Sequence, residues 1–457
     1  VEPIASCRGA RRYPFAARAR TLRRAMHEPT SIEVHAAAAD TAAERPWLQR
    51  FGLRLVCAYL FLYSWPFPLN LVPWIGFTYE WSSGAWNELV LAAARLAHIE
   101  VPAMPAGSGD TTFNYVELPV RLALAALAAL VWTLLPRRVS DARWRQLLVL
   151  HLRFVVALAM LGYGFAKVFP GQFAPPSLDR LTSTYGESSP MGLLWTFMGA
   201  SRPYTIFGGA LEVLGGVLLL FRPMAVLGAL VSAGVLLNIV ALNLCYDVPV
   251  KLYSSHLFLM ASIVALPDAR RLFAAVLGRA VPPRAEMPFA TSTPGRIAVH
   301  TLHALVLLAI TWNQVSEVRQ TLAFASTPPN ALSGLWLVES RTVEGELSTP
   351  LPAPTDPRSF SFTNFGSVTI RDHSGGAERF RFTLDEEQRT VALTPFGTPT
   401  EEVAPRTFAW QKSGDELVLR ETGASPAVEW HLRERPASSF LLMERGFHWI
   451  NEFPFNR

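Results

Sequence analysis

Charge is scarce in this sequence. Asp, Glu, Lys and Arg make up 17% of the 457 residues, against 50% hydrophobic, and the mean hydropathy is positive. Soluble domains usually carry about a quarter charged residues, so an ordinary soluble enzyme is excluded and a membrane protein with a more polar tail is the default reading. Cysteine is scarcer still: there are three, at 7, 57 and 245. None lies in C-x-x-C or C-x-x-C-H spacing, which excludes a disulfide framework and a thiol-redox motif. Cys57 and Cys245 sit in apolar segments, where a free cysteine reads as a small buried hydrophobe. The sequence also lacks a phosphate-binding glycine loop, a nucleophile elbow and an H-E-x-x-H or larger metal-ligand set.

Long apolar runs are what the sequence does have, all of them before Pro328. Runs of about 17 to 25 residues are long enough to cross a bilayer. They predict seven spans, at 51–66, 116–135, 147–165, 205–221, 224–244, 252–266 and 297–312. Arginines decide the orientation. Arg137, Arg138, Arg143 and Arg145 follow the second span, Arg222 the fourth, and Arg270, Arg271, Arg279, Arg284 and Arg296 the sixth, so these loops are expected in the cytoplasm. The loops containing "MPAGSGDTTFNY" and "YDVPVK", the segment 168–203 and the C terminus are then expected outside a bacterial inner membrane. Residues 1–45 read as a basic disordered segment crowded with Arg8, Arg11, Arg12, Arg18, Arg20, Arg23 and Arg24. Val1 suits a GTG start read literally, and Met26, ahead of "HEPTSIE", suits a true start. No apolar stretch with a small-residue cleavage site follows directly, so a secretory signal is not expected there.

The expected organisation is residues 1–45, then two spans with an exterior loop over 46–146, a four-helix membrane core over 147–267, a cytoplasmic linker and seventh span over 268–327, and an exterior all-β domain over 328–457. In that last part "GLWLVESRTV", "SFSFTNF", "SVTIRD", "ERFRFTL", "TVALTP", "TFAWQK", "ELVLRE" and "VEWHLRE" alternate with period two, separated by "HSGG", "DEEQ" and "KSGDE". An antiparallel meander of eight or nine strands predicts a small closed barrel or a sandwich. Gly334-Leu335-Trp336 resembles the G-x-W of lipocalins, which implies ligand binding; the competing reading is a β domain that only packs on the membrane part.

Polar residues in the apolar runs mark the candidate site. Glu212 is expected roughly 12 Å into the hydrocarbon, counting 1.5 Å per residue from Tyr204. Lys167, with Tyr163 one turn before it, ends the third span. Asn238 and Asn243 lie on the fifth, and Lys251, Ser254, Ser255 and His256 open the sixth, with Asp247 at the turn between them. Ionisable groups in spans face one another or a wet cavity, so these residues predict a polar site opening outward, rimmed by Asp247. Glu212, Lys167 and His256 are its candidate catalytic groups. Asn238, Asn243, Asp247, Lys251 and Tyr163 are its candidate substrate contacts, and no metal is expected. Gly208, Glu212 and Gly215 share a helix face by spacing, with Gly209 and Gly216 beside them, which predicts close helix packing; Gly162 and Gly164 predict the same on the third span. The competing reading makes Glu212 and Lys167 a salt bridge that fixes helix register. His151, Arg153, His300 and His303 read as interhelical hydrogen-bonding groups rather than a metal pair. Asp110 to Asn114 read as a capped turn into the second span.

"LGYGFAKVF" followed by "GGALEVLGGVLLL" resembles the DoxX family of small bacterial membrane proteins. The positions that carry the likeness are Gly162, Gly164, Lys167, Glu212, Gly215, Gly216 and Leu218, within 147–266. The resemblance implies a four-helix core linked to membrane redox processes, with a quinone as the cofactor class. This chain adds two spans before that core, one after it, and a β domain. A wider resemblance, to the membrane domains of vitamin-K-dependent carboxylase, implies a base acting at a quinol. The resulting expectation is binding of a quinone-like or amphiphilic molecule in support of a membrane redox process. Its expected partners are the lipid bilayer and a membrane redox protein, and not nucleic acid. The other function class is a receptor or assembly factor acting through the exterior β domain.

Overall fold

The computed structural model describes residues 46–67, 76–102, 109–136, 139–169, 171–281, 292–347, 353–396, 405–423 and 425–449, with the side chains of 76–82 left out. The basic segment 1–45, including Cys7, lies outside the described residues, as do Arg137, Arg138, Arg284 and the "MPAGS" of "MPAGSGDTTFNY".

The first part is helical: α1 (Trp47–Ser64), α2 (Gly76–Leu96), α3 (Thr112–Leu134), α4 (Asp141–Val168), α5 (Leu178–Thr182), α6 (Pro190–Ala200), α7 (Arg202–Leu220), α8 (Ala225–Cys245), α9 (Lys251–Ala265), α10 (Ala269–Val276) and α11 (Thr293–Ala325). Short polar residues start several of them. Thr111 and Asn114 form a reciprocal capping box on α3, and Ser140, Ser189 and Ser292 each accept a backbone N–H at the start of α4, α6 and α11. Among the described residues five helices are long and apolar enough to cross a membrane: α3, α4, α7, α8 with the turn before it, and α11. Two of the seven predicted spans fall short of that. The first, α1, carries Arg50 and Arg54 in its 18 residues, and the sixth, α9, is only 15 residues long. Helix α2 was not expected; Ser83, Asn87 and Glu88 broke the apolar run from which spans are read.

Helices α4, α7, α8 and α9 pack as a ring, each against the next, with α9 returning to α4. Leu152, Val156 and Met160 of α4 meet Leu219 of α7, Leu236 of α8 and Leu257 and Met260 of α9 in its core. Glycine sets how close α4 and α7 come. A Cβ on Gly164 would stand 2.9 Å from the Gly209 carbonyl, and one on Gly209 would stand 2.7 Å from the Gly164 carbonyl. Gly216 meets Leu161 and Ala157 of α4, whereas Gly215 turns to Ser232 of α8. Gly162 and Gly208 meet nothing, so the predicted face of 208, 212 and 215 is rotated by one residue. Helix α1 packs on α3 and α4, α2 on α3, and α11 on α4.

The second part is an antiparallel barrel. Strands β1 (Gly334–Val343), β2 (Glu346–Leu347), β3 (Pro357–Phe362), β4 (Ser367–Asp372), β5 (Ala377–Asp385), β6 (Thr390–Pro395), β7 (Arg406–Ser413), β8 (Glu416–Glu421) and β9 (Val428–Glu434) follow in order. β1 pairs with both β3 and β9, which closes eight strands into a barrel and leaves β2 as an extension of β1. Closure rather than a sandwich removes the sheet edges. Trp336, Phe360, Phe382, Phe408, Leu419 and Trp430 fill the interior. The Trp336 indole donates to the Leu332 carbonyl at 2.8 Å, and Lys412 stands 4.8 Å over its ring.

Barrel and bundle meet at one end. The Phe324 and Phe365 rings stack at 4.3 Å, and Arg371 of β4 grips Asp179 of α5. The starts of α7 and α9 and the ends of α4, α8 and α11 gather there. The 171–201 connection is therefore not an open loop. Its α6 packs Leu194 and Met198 on Phe173 and Val248, capping that end of the ring.

Candidate functional site

Glu212 and Lys167 face each other across α7 and α4. They are 2% and 8% exposed, and the ammonium lies 2.9 Å from Oε1 and 3.0 Å from Oε2 of the carboxylate. Both ions sit where water is absent, so the pair is retained only because each satisfies the other. Lys167 is held further by its own turn: Nζ reaches the Tyr163 carbonyl at 3.5 Å and stands 5.6 Å from the Tyr163 ring and 5.9 Å from the Phe173 ring. Arg202, at the start of α7, donates to the Val168 carbonyl at 2.5 Å and the Lys167 carbonyl at 3.4 Å. It thus satisfies the end of α4 directly beside the pair.

One flank of this site is open. Tyr163 is 42% exposed and Tyr253 39%, with their rings 6.1 Å apart. The two phenols form a shelf on the outer surface of the ring, with the Lys167 ammonium 5.6 Å from the Tyr163 ring.

The other expected residues divide among separate places. Asn243 donates to Ser254 at 3.0 Å with both buried, a bond that ties α8 to α9. Lys251 and Asp247 form an exposed ion pair at 2.8 Å on the α8–α9 turn. Asn238 is exposed on α8. His256 does not join the pair: its Nε2 lies 2.8 Å from the Tyr59 hydroxyl, its Nδ1 lies 2.7 Å from the Leu252 carbonyl, and its ring stacks on Tyr63 at 3.8 Å. A carbonyl only accepts, so a neutral His256 carries its proton on Nδ1 and takes one from Tyr59 on Nε2.

That histidine belongs to a second polar cluster which the sequence reading missed. Arg121 stands 5.1 Å over the Tyr63 ring, donates to the carbonyls of Leu62 and Tyr63 at 3.0 and 2.9 Å, and pairs with Glu117 at 2.5 Å. Trp86 of α2 also donates to Glu117. The signal was available: opposite charges four residues apart inside an apolar run are as informative as Glu212 alone. The interhelical reading of His151 holds, since Nε2 lies 2.7 Å from the Ser64 hydroxyl, and His303 packs edge-on to Phe154. Cys57 is half-buried and Cys245 exposed, so the buried reading of Cys245 is corrected. Among the described residues no three His, Cys, Asp or Glu side chains gather as a metal set would require.

No family model matches the chain, and no solved structure matches it. Over 119 residues it is 35% identical to the uncharacterized protein YwoB of Bacillus subtilis (strain 168), an alignment covering 26% of this chain and 75% of that protein. By that match the chain belongs, through about a quarter of its length, to the family of YwoB.

Proposed function

We propose that this is a DoxX-like membrane protein that binds a quinone-like or other amphiphilic molecule on the Tyr163–Tyr253 shelf and supports a membrane-associated redox process. The observation that carries the reading is a buried Lys167–Glu212 pair beside the part-exposed Tyr163, whose ring faces that of Tyr253 at 6.1 Å. Reducing a quinone to a quinol consumes two electrons and two protons. The electrons would come from a membrane redox partner, and Glu212, reprotonated from water at the outer surface between the two steps, would relay both protons in turn while Lys167 stabilises its carboxylate. His256 is given a positioning role instead, holding α1 against α9.

Arginine placement supports a bacterial cell-membrane location with the barrel outside. Arg143, Arg222, Arg270, Arg271, Arg279 and Arg296 all belong to the end of the bundle away from the barrel. Seven passes remain the favoured count, because α8 ends on the barrel side while α11 begins on the other, and α9 is the connection that crosses. A lipocalin-like ligand role for the barrel has less support, since large side chains occupy its interior. The receptor or assembly reading would have to use the barrel's outer wall.

The test is mass spectrometry of small molecules extracted from the gently solubilised protein, comparing wild type, Glu212→Gln and Tyr163→Ala. Tyr163 is half-exposed, so its truncation leaves the fold intact. The expected result is an amphiphile retained by wild type and depleted in both variants, each checked for native helicity. Equal retention in all three, or empty samples throughout, would refute the shelf as a ligand site.

A further inference from the structure

A cavity of about 110 Å³ opens between α5 and the outer wall of the barrel. Its charge is one-sided: Arg358, Arg371 and Arg435 line it, and among the described residues no carboxylate does. Arg371 is already engaged, by Asp179 at 2.7 Å and by the Ser183 hydroxyl at 2.9 Å. The other two are not neutralised. Arg435 spends only its Nε, on the Ser439 hydroxyl at 3.2 Å, while its guanidinium plane lies 4.0 Å from the Phe440 ring. Among the described residues Arg358 has no hydrogen-bond or ion-pair partner. The Ser359 hydroxyl lines the cavity beside it and is open to a ligand there.

We propose that this cavity binds a phosphate ester, with Arg358 and Arg435 donating to two of its oxygens and the Ser359 hydroxyl donating to a third. Two guanidinium forks and a hydroxyl offer enough donors for three oxygens, which suits a phosphate better than a two-oxygen carboxylate. The remaining wall is apolar: Leu181, Leu337 and Phe440 would meet the carbon side of the ester. Immediately beyond Phe440, Leu441, Leu442, Phe447 and Trp449 are exposed, at 47%, 53%, 76% and 91%. An apolar run of that kind beside an anion site suits a phospholipid, headgroup in the cavity and chains along the run. A soluble phosphate ester shares the chemistry of the headgroup without the chains.

The experiment titrates detergent-solubilised full-length protein with three probes: dihexanoyl phosphatidylglycerol, glycerol 3-phosphate and dihexanoylglycerol. Binding of the phosphatidylglycerol but not of the phosphate-free dihexanoylglycerol is expected. Arg358→Gln and Arg435→Gln should each weaken it on the order of tenfold, as loss of a charged hydrogen bond does. Arg420→Gln, whose guanidinium pairs with Glu429 on a different part of the barrel, should bind as wild type. Equal or tighter binding of glycerol 3-phosphate keeps the site and makes a soluble ester its source. Failure of both phosphate probes, equal binding of dihexanoylglycerol, or unweakened binding by Arg358→Gln, which alters an exposed side chain and leaves the fold intact, overturns the proposal.

Discussion

Two neighbouring glycines on α7 respond to a methyl group in opposite ways. At Gly209 a Cβ would stand 2.7 Å from both the Gly164 carbonyl and Lys167 Cβ, whereas at Gly208 it would meet nothing within 4 Å. Gly209→Ala therefore has to push α4 off α7 and should cost about 1–3 kcal/mol, the usual penalty for overpacking. Gly208→Ala gains helix propensity and should be neutral or stabilising by up to about 1 kcal/mol. Thermal unfolding of the two variants in one detergent checks this, and equal shifts would mean that α4 and α7 do not approach through these glycines. The spacing of glycines in the sequence pointed to close packing on α7 but chose the wrong partner for Glu212's face. Successive residues differ by about 100° around a helix axis, and only the position of α4 decides which of two adjacent glycines touches it. Glu212 and Lys167 were legible because two opposite charges in apolar runs have few ways to be satisfied. His256 was misassigned because tyrosines on α1 compete for it, and nothing in its own segment announces them.

Elements depend on contacts that are distant in the chain. Helix α9 begins without a side-chain cap of its own, and Asp110, 141 residues earlier, supplies one: its carboxylate accepts the backbone N–H of Lys251 at 2.6 Å and of Leu252 at 3.0 Å. Asp110 holds this position with a φ of 54°, and Gly109 before it, at φ 147°, passes close to the Pro249 carbonyl. Removing the acceptor with Asp110→Ala should cost about 0.5–2 kcal/mol, as the loss of a helix cap does, and should speed hydrogen exchange at the first turn of α9. Exchange there at the wild-type rate would show that the cap is dispensable. The local half of this turn was readable, since Thr111 and Asn114 cap the helix they precede; the half that caps α9 was not, because no pattern in "GSGDTTFNY" names its partner. The same limit explains the helices. The five longest apolar runs were legible from hydropathy, whereas α2 is too polar to be read that way, and α1 buries Arg54 by donating to the Trp132 carbonyl of α3.

At the scale of the whole molecule, the barrel is legible as eight alternating segments, but its docking is not. The closed sheet satisfies its own backbone and carries its own core, so what remains to be decided is how firmly it is held on the bundle. Arg371 reaches Asp179 with both Nε and a terminal nitrogen, at 3.0 and 2.7 Å, and both side chains are about 15% exposed. Partly desolvated charge-assisted bonds of this kind resist screening better than a surface pair and contribute about 1.5–3 kcal/mol. Arg371 also donates to the Ser183 hydroxyl and Arg379 lies 3.8 Å from Asp179, while the Phe324–Phe365 stack and a long Asn364 bond to the Thr327 carbonyl belong to the end of α11 itself. Arg371→Gln should therefore loosen the barrel without unfolding it. Protease cleavage in 326–333 should accelerate, while the near-ultraviolet signal of Trp336 and Trp430 persists. Asp179→Asn should act in the same direction, and the double variant should fall short of the sum of the two, since both remove the Arg371–Asp179 pair while each also touches one separate partner, Ser183 for Arg371 and Arg379 for Asp179. Wild-type cleavage rates in both single variants would mean that the stack alone fixes the barrel. Additive effects would mean that Asp179 and Arg371 act through different partners. The outcome also bears on the proposed phosphate site, whose walls come from both sides of this junction: a barrel held by Asp179 keeps Arg358 and Arg435 facing Leu181, and a released one does not.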